Sequence, residues 1–199
     1  ACAWYLLADL TDEEKRTFWV LIPVCVGDIV YVAIALRLSE TVAENIFGTG
    51  HAIQRDAVRS NWTNSGVISA LVATIAASSW MLDMPDDNFY NPRNQLFACL
   101  SANALLFAIV GTLMSSLSLA YTDHILQEDF KLFYDDFKGL IGYPLMFLIG
   151  SLVSLFAALA VRNHLLYGRA NTFVIGFLTV GSMLIVAYCW VMLARYANK

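Results

Sequence analysis

Apolar residues in this chain come in blocks rather than in alternation. Five stretches run for about 20 residues with hardly a full charge, the length of helix that crosses a hydrocarbon core of ~30 Å. They are residues 17–36, broken by Pro23, Gly27 and one acid, Asp28; 66–82, rich in Ala and Ser; 96–120, which follows an Asn-Pro-Arg-Asn turn; 140–161; and 172–194, which stops at Arg195. The runs show no period-two alternation, which disfavours a closed β-barrel and leaves helices to satisfy the backbone in lipid. The pattern therefore predicts an all-α fold. It is a multi-pass transmembrane helical bundle of five spans in a single integral membrane domain, residues 1–199, with amphipathic surface helices between spans.

Two connections carry a pattern of their own. Leu38, Val42 and Ile46 recur at helical spacing until Gly48-Thr49-Gly50 breaks the run, and a second short helix from about His51 feeds the second span. After the third span, Leu126, Phe130, Phe133 and Phe137 lie four, three and four residues apart, with Glu128, Asp129, Asp135 and Asp136 elsewhere on the helix. That segment is expected to lie along the membrane surface or dock on a partner, so its four apolar residues are the candidate partner or lipid contacts. Trp19, Trp62, Trp80, Tyr90, Tyr121, Tyr143 and Trp190 fall near segment ends, as an interfacial aromatic belt would.

Composition sharpens the class: of 199 residues 59% are hydrophobic and 14% charged, with a net charge of −4 and no basic cluster. This excludes intrinsic disorder and nucleic-acid binding. Cys25, Cys99 and Cys189 lie inside apolar runs and read as unpaired core residues, so no disulfide framework is expected. Counted by loop, Lys and Arg number seven on the side that holds Arg55, Arg59, Lys131 and the C-terminus, against five on the other. The C-terminus is thereby assigned to the cytoplasmic or equivalent side. The expectation is an integral membrane protein, with organelle and plasma membrane both open.

Chemistry has few candidates. An acid inside a span costs roughly 2.5–3.5 kcal/mol on insertion scales, so Asp28 needs a partner or a wet cavity. Its functional reading is an ion or proton site; its structural reading is a hydrogen bond to Asn103 or to a Ser on a neighbouring helix. In the second span Ser69, Ala70, Ala73, Thr74 and Ala77 form a small-residue helix-packing face. Alternatively several copies of that helix line a pore, with Asp83, Asp86 and Asp87 as a cation-attracting mouth. His51, His124 and His164 share no ligand spacing, and no haem, zinc or nucleotide motif is present. A bound lipid or pigment is left open, and no catalytic set is expected.

From the second span onward, residues 66–199, the chain resembles the Orai-type calcium channels. Ser69-Ala70-Leu71 is similar to the start of their pore helix. Phe97-Ala98-Cys99, with Leu105, Leu106, Ala108, Leu113 and Ser115, is similar to their second helix, and Gly176 to Tyr196 to their closing helix. The resemblance implies a homo-oligomeric cation channel. Departures fall where function is read: an ungapped count puts Leu82 where that family keeps its filter glutamate, so Asp83 could substitute only with a one-residue shift. Residues 17–36 are extra to that family, and Arg55 and Arg59 are the only basic residues where its pore extension is more strongly basic. The reading favoured by the residues is a non-catalytic accessory or scaffold subunit of a larger membrane complex, of respiratory or photosynthetic type. The Orai-like channel is the alternative. Expected partners are the bilayer and either other membrane subunits or further copies of the chain.

Overall fold

A computed structural model describes residues 11–47, 55–80 and 91–197, with only some side chains described beyond Gly168. Four helices account for nearly all of them: α1 (Asp12–Phe47), α2 (Arg55–Trp80), α3 (Pro92–Thr122) and α4 (Phe130–Ala197). The fold is all-helical among the described residues. α3 packs along both α2 and α4, and α1 lies mainly against α4.

Local chemistry explains the ends. Asn91 caps α3, its side-chain oxygen accepting from the Arg93 N–H at 3.1 Å, and Pro92 opens the helix where its missing N–H is no loss. α4 is interrupted twice by non-helical backbone, at Phe137 (φ −122°, ψ 25°) and at Gly168 (φ 78°, ψ −172°). Only glycine tolerates the second conformation readily, and it falls between the predicted fourth and fifth spans. Pro144 sits inside α4, fully buried.

Among the described residues three stretches are long and apolar enough to cross a membrane: Phe18–Phe47, Pro92–Thr122 and Phe130–Gly168. Five spans are thus not supported, and three are. The described part of the stretch 66–82, residues 66–80, does not qualify because Ser, Thr and Ala dilute its apolar residues and the turns of α2 before it carry Arg55, Asp56, Arg59, Asn61 and Asn64. The predicted fifth span, 172–194, lies where the backbone is helical but most side chains are outside the described residues. The first predicted span is also longer than expected. The Leu38, Val42 and Ile46 run is no separate connecting helix but the continuation of α1, which reaches Phe47 without a break across Pro23.

Burial runs opposite to that of a water-soluble protein. The inward stripe of α2 is Val58, Trp62, Ser65, Ser69, Val72, Ala76 and Ser79, whereas Val67, Ile68, Leu71 and Ile75 face out. Leu71 is 60% exposed, while Ser69, two residues away, is fully buried. On α3, Ser101, Ala104, Ala108, Gly111, Ser115 and Ser118 are inside and Leu106, Ile109, Leu113 and Leu117 outside. Large aliphatics outward and small residues inward suit a bundle solvated by lipid, where close backbone approach replaces hydrophobic collapse.

Two buried clusters form the core. Ala43, Val58, Trp62, Phe130, Tyr134 and Ile141 make an aromatic one, flanked by Phe47, Leu119, Ile125 and Phe133. Val72, Ala76, Ala104, Ala108, Leu148 and Leu155 make an aliphatic one. Trp62 is thus no belt residue: its indole is buried and donates to the Ile141 carbonyl at 3.1 Å, while Trp19 and Tyr121 do face outward. Cys25 is likewise exposed on α1 rather than in the core, and Cys99 is half-buried; both are free thiols.

Candidate functional site

The intramembrane acid sits at a junction of three helices. Asp28 on α1 accepts a hydrogen bond from Asn103 Nδ2 on α3 at 2.6 Å, and the same nitrogen lies 3.3 Å from Ser154 Oγ on α4. The register follows from small residues. Beyond Asp28 and Tyr31, α1 turns Ala35, Ser39 and Ala43 inward at four-residue spacing, all buried. A Cβ on Gly142 would collide with the Ser39 carbonyl group, and one on Gly150 would meet the Tyr31 ring. These two glycines let α1 lie close along α4, which brings Asp28 to the level of Ser154. The Tyr31 hydroxyl donates to the Met146 carbonyl on the same seam.

This junction joins α1, α3 and α4 through polar atoms, as hydrogen bonds between membrane helices do. A relay would need further titratable partners in line, whereas the hydrogen-bonding neighbours at this junction are the amide of Asn103 and the hydroxyl of Ser154. Among the described residues no group of three or more His, Cys, Asp or Glu is placed to hold a metal ion.

At the opposite end, charges tie the connection between α3 and α4 to its neighbours. Arg59 Nη2 meets Asp123 Oδ1 at 2.5 Å, Arg55 Nη1 donates to the Ile125 carbonyl at 2.7 Å, and Lys138 Nζ meets Glu44 Oε1 at 3.0 Å. Beside this rim, Met114, Leu117, Ser118, Tyr121, Phe133, Phe137 and Leu140 enclose an open groove of about 410 Å³. Its floor is apolar. Phe133 and Phe137 stack at 5.2 Å between ring centroids, inclined by 31°.

The four residues expected to make partner or lipid contacts separate here. Leu126 and Phe137 are exposed, Phe133 lines the groove, and Phe130 turns inward into the aromatic cluster, where it has no outside surface to offer. On α2, Ser69 is buried, Ala73 and Ala77 are half-buried at its flank, and Ala70 and Thr74 face outward. Asp83, Asp86, Asp87 and His51 lie outside the described residues. What sequence reasoning missed is the α1–α4 seam and the groove. The seam had a signal, Ala35, Ser39 and Ala43 at four-residue spacing. The groove had one for a single wall, Phe133 and Phe137; the other wall, at the end of α3, comes from positions about 20 residues away and meets the first only across the turn after α3.

Comparison with protein-family models, with curated proteins and with solved structures finds no match for this chain.

Proposed function

We propose that this chain is a non-catalytic accessory or scaffold subunit of a larger membrane complex, of the respiratory or photosynthetic kind. The observation that carries the reading is where the polar atoms within the spans go. Asp28, Asn103, Ser154 and Tyr31 are engaged in bonds between helices, while the large aliphatics of α1, α2 and α3, such as Ile29, Leu71 and Leu113, face outward. A molecule so arranged offers surfaces to lipid and to other subunits rather than a reaction chamber. The groove beside Phe133 and Phe137 adds one concave surface suited to a neighbour.

Extraction of the native membrane in mild detergent, followed by mass measurement of the intact particle, tests the proposal. A particle containing other chains at fixed stoichiometry is expected. A particle made of this chain alone overturns it.

One observation favours a second reading, the Orai-like homo-oligomeric cation channel. α2 leaves Ala70, Thr74 and Ser78 exposed at four-residue spacing, a small-residue row that several copies could turn toward a common axis. Cation flux into liposomes, carried by the purified protein and lost in Asp83→Ala, is the outcome this reading requires.

A further inference from the structure

We infer that the groove between the end of α3 and the first turns of α4 receives a cationic amphipathic helix from a neighbouring membrane protein. The inference rests on the subunit reading above and gives the partner a chemistry. The groove supplies the apolar half of such a contact: Leu117, Tyr121 and Phe137 are each at least half exposed at its mouth, and Phe133 and Leu140 line it further in. One or two large apolar side chains spaced three or four residues apart on a partner helix would fill it, the usual anchor of a helix in a groove.

The charge at its edge decides which helix. Asp136 follows Phe133 by three residues and Asp129 precedes it by four, so at helical spacing both flank the Phe133 stripe, and both are exposed. Lys131 and Lys138 project from the other side of the same helix, and Lys138 is held there by Glu44 of α1. The edge of the groove at Asp129 and Asp136 is therefore acidic, while Glu128 and Asp135 fall on the side of the two lysines and offset them there. Such an edge repels the phosphate of an anionic phospholipid at the level where its headgroup would lie. It attracts Lys or Arg placed one turn from the apolar anchors of a partner. A second copy of this chain has little to offer it from this end, because Arg55, Arg59 and Lys138 are already engaged by Ile125, Asp123 and Glu44.

Photocrosslinking in the native membrane tests this, with p-benzoylphenylalanine at position 137 or, separately, at position 117 of the full chain. Irradiation is expected to give an adduct on a helical segment of another protein that carries Lys or Arg within two turns of the crosslinked residue. Adduct yield should fall at least about tenfold in the Asp129→Lys, Asp136→Lys double variant and less in the corresponding Asn variant. Both sites are exposed, and an unchanged melting temperature of the double variant establishes that it folds. Adducts on lipid alone, on a second copy, or on an acidic or uncharged segment overturn the inference. So does a yield that charge reversal leaves unchanged. If partners co-purify yet the groove crosslinks to none of them, the inference fails and the subunit reading stands; if nothing co-purifies, the subunit reading itself falls.

Discussion

The two buried clusters solve the same packing problem by different physics. Around Trp62, large rings fill the space between α1, α2 and α4, an indole N–H finds a carbonyl, and ion pairs close the rim at Arg59–Asp123 and Lys138–Glu44. The cluster at Ala104 and Ala108 itself contains no ring and no ion pair, with Val72, Ala76, Leu148 and Leu155 meeting across small residues, while the rings of Tyr31, Phe107 and Phe147 pack together beside it. The first resembles a core made beside water, where burying an aromatic removes apolar surface from solvent. The second suits a core made in lipid, where leaving the solvent gains little and closeness of packing is what remains. From this difference we propose that the aromatic cluster lies toward an aqueous face and the aliphatic one deeper in the bilayer.

The largest effect is expected where the aromatic end depends on one side chain. Trp62→Ala removes a fully buried indole and leaves the Ile141 carbonyl without that donor, so a loss of about 3–5 kcal/mol is expected, read from thermal or denaturant unfolding in detergent. Trp62→Phe restores most of the volume but not the N–H and should recover more than half of it. If Phe recovers nothing, the hydrogen bond rather than the filled volume holds this end, and the contrast drawn above is wrong.

The aliphatic end should fail in the opposite direction, by gain of volume. Ala108 is fully buried between close helices, and Ala108→Leu is expected to cost about 1–3 kcal/mol through displaced backbone, with Ala108→Gly much milder. The same unfolding measurement decides it. A Leu tolerated at this site would mean that the helices are not closely packed there.

How much of this was legible in the sequence follows the same division. Helical class, the capped start of α3 at Asn91-Pro92 and Asn103 as partner to Asp28 could all be read from local chemistry, because a cap and an intramembrane acid each demand a specific answer. Of the small residues expected on the packing face of α2, Ser69 is buried, Ala73 and Ala77 are half-buried, and Ala70 and Thr74 face outward. Ala, Ser and Thr surround that helix on every side, so the row of small residues at Ala70 and Thr74 was indistinguishable from the one actually buried at Ser65, Ser69 and Ala76. Trp62 misled for a related reason: a tryptophan beside an apolar run fits an interfacial belt and a buried core equally well until its hydrogen-bond partner, 79 residues away, is known.

The junction of three helices belongs to neither cluster and should give an intermediate effect. Asn103→Leu preserves volume but withdraws the amide that binds Asp28 and reaches Ser154, and a loss of roughly 0.6–1.7 kcal/mol is expected, the range found for hydrogen bonds between membrane helices. Asn103→Gln should retain part of it. A double-mutant cycle with Asp28→Asn separates the pair from its surroundings; a coupling energy near zero would show that the two side chains are neighbours without holding the helices together.

The smallest effect is the most diagnostic of where water begins. Arg59 and Asp123 are partly exposed, at 35% and 52% of their side-chain surface, so the pair should contribute only about 0.2–1 kcal/mol despite its short distance. Its value lies in its salt dependence. If this end meets the aqueous phase, the penalty of Asp123→Asn shrinks as ionic strength rises, because a Debye length of about 10 Å at 0.1 M falls to about 3 Å at 1 M and screens exposed charges. A penalty that stays constant over that range, measured in a lipid nanodisc, would put the pair inside the low-dielectric slab. It would then move the aromatic cluster into lipid as well, and the two cores would have to differ for some reason other than the solvent each one faces.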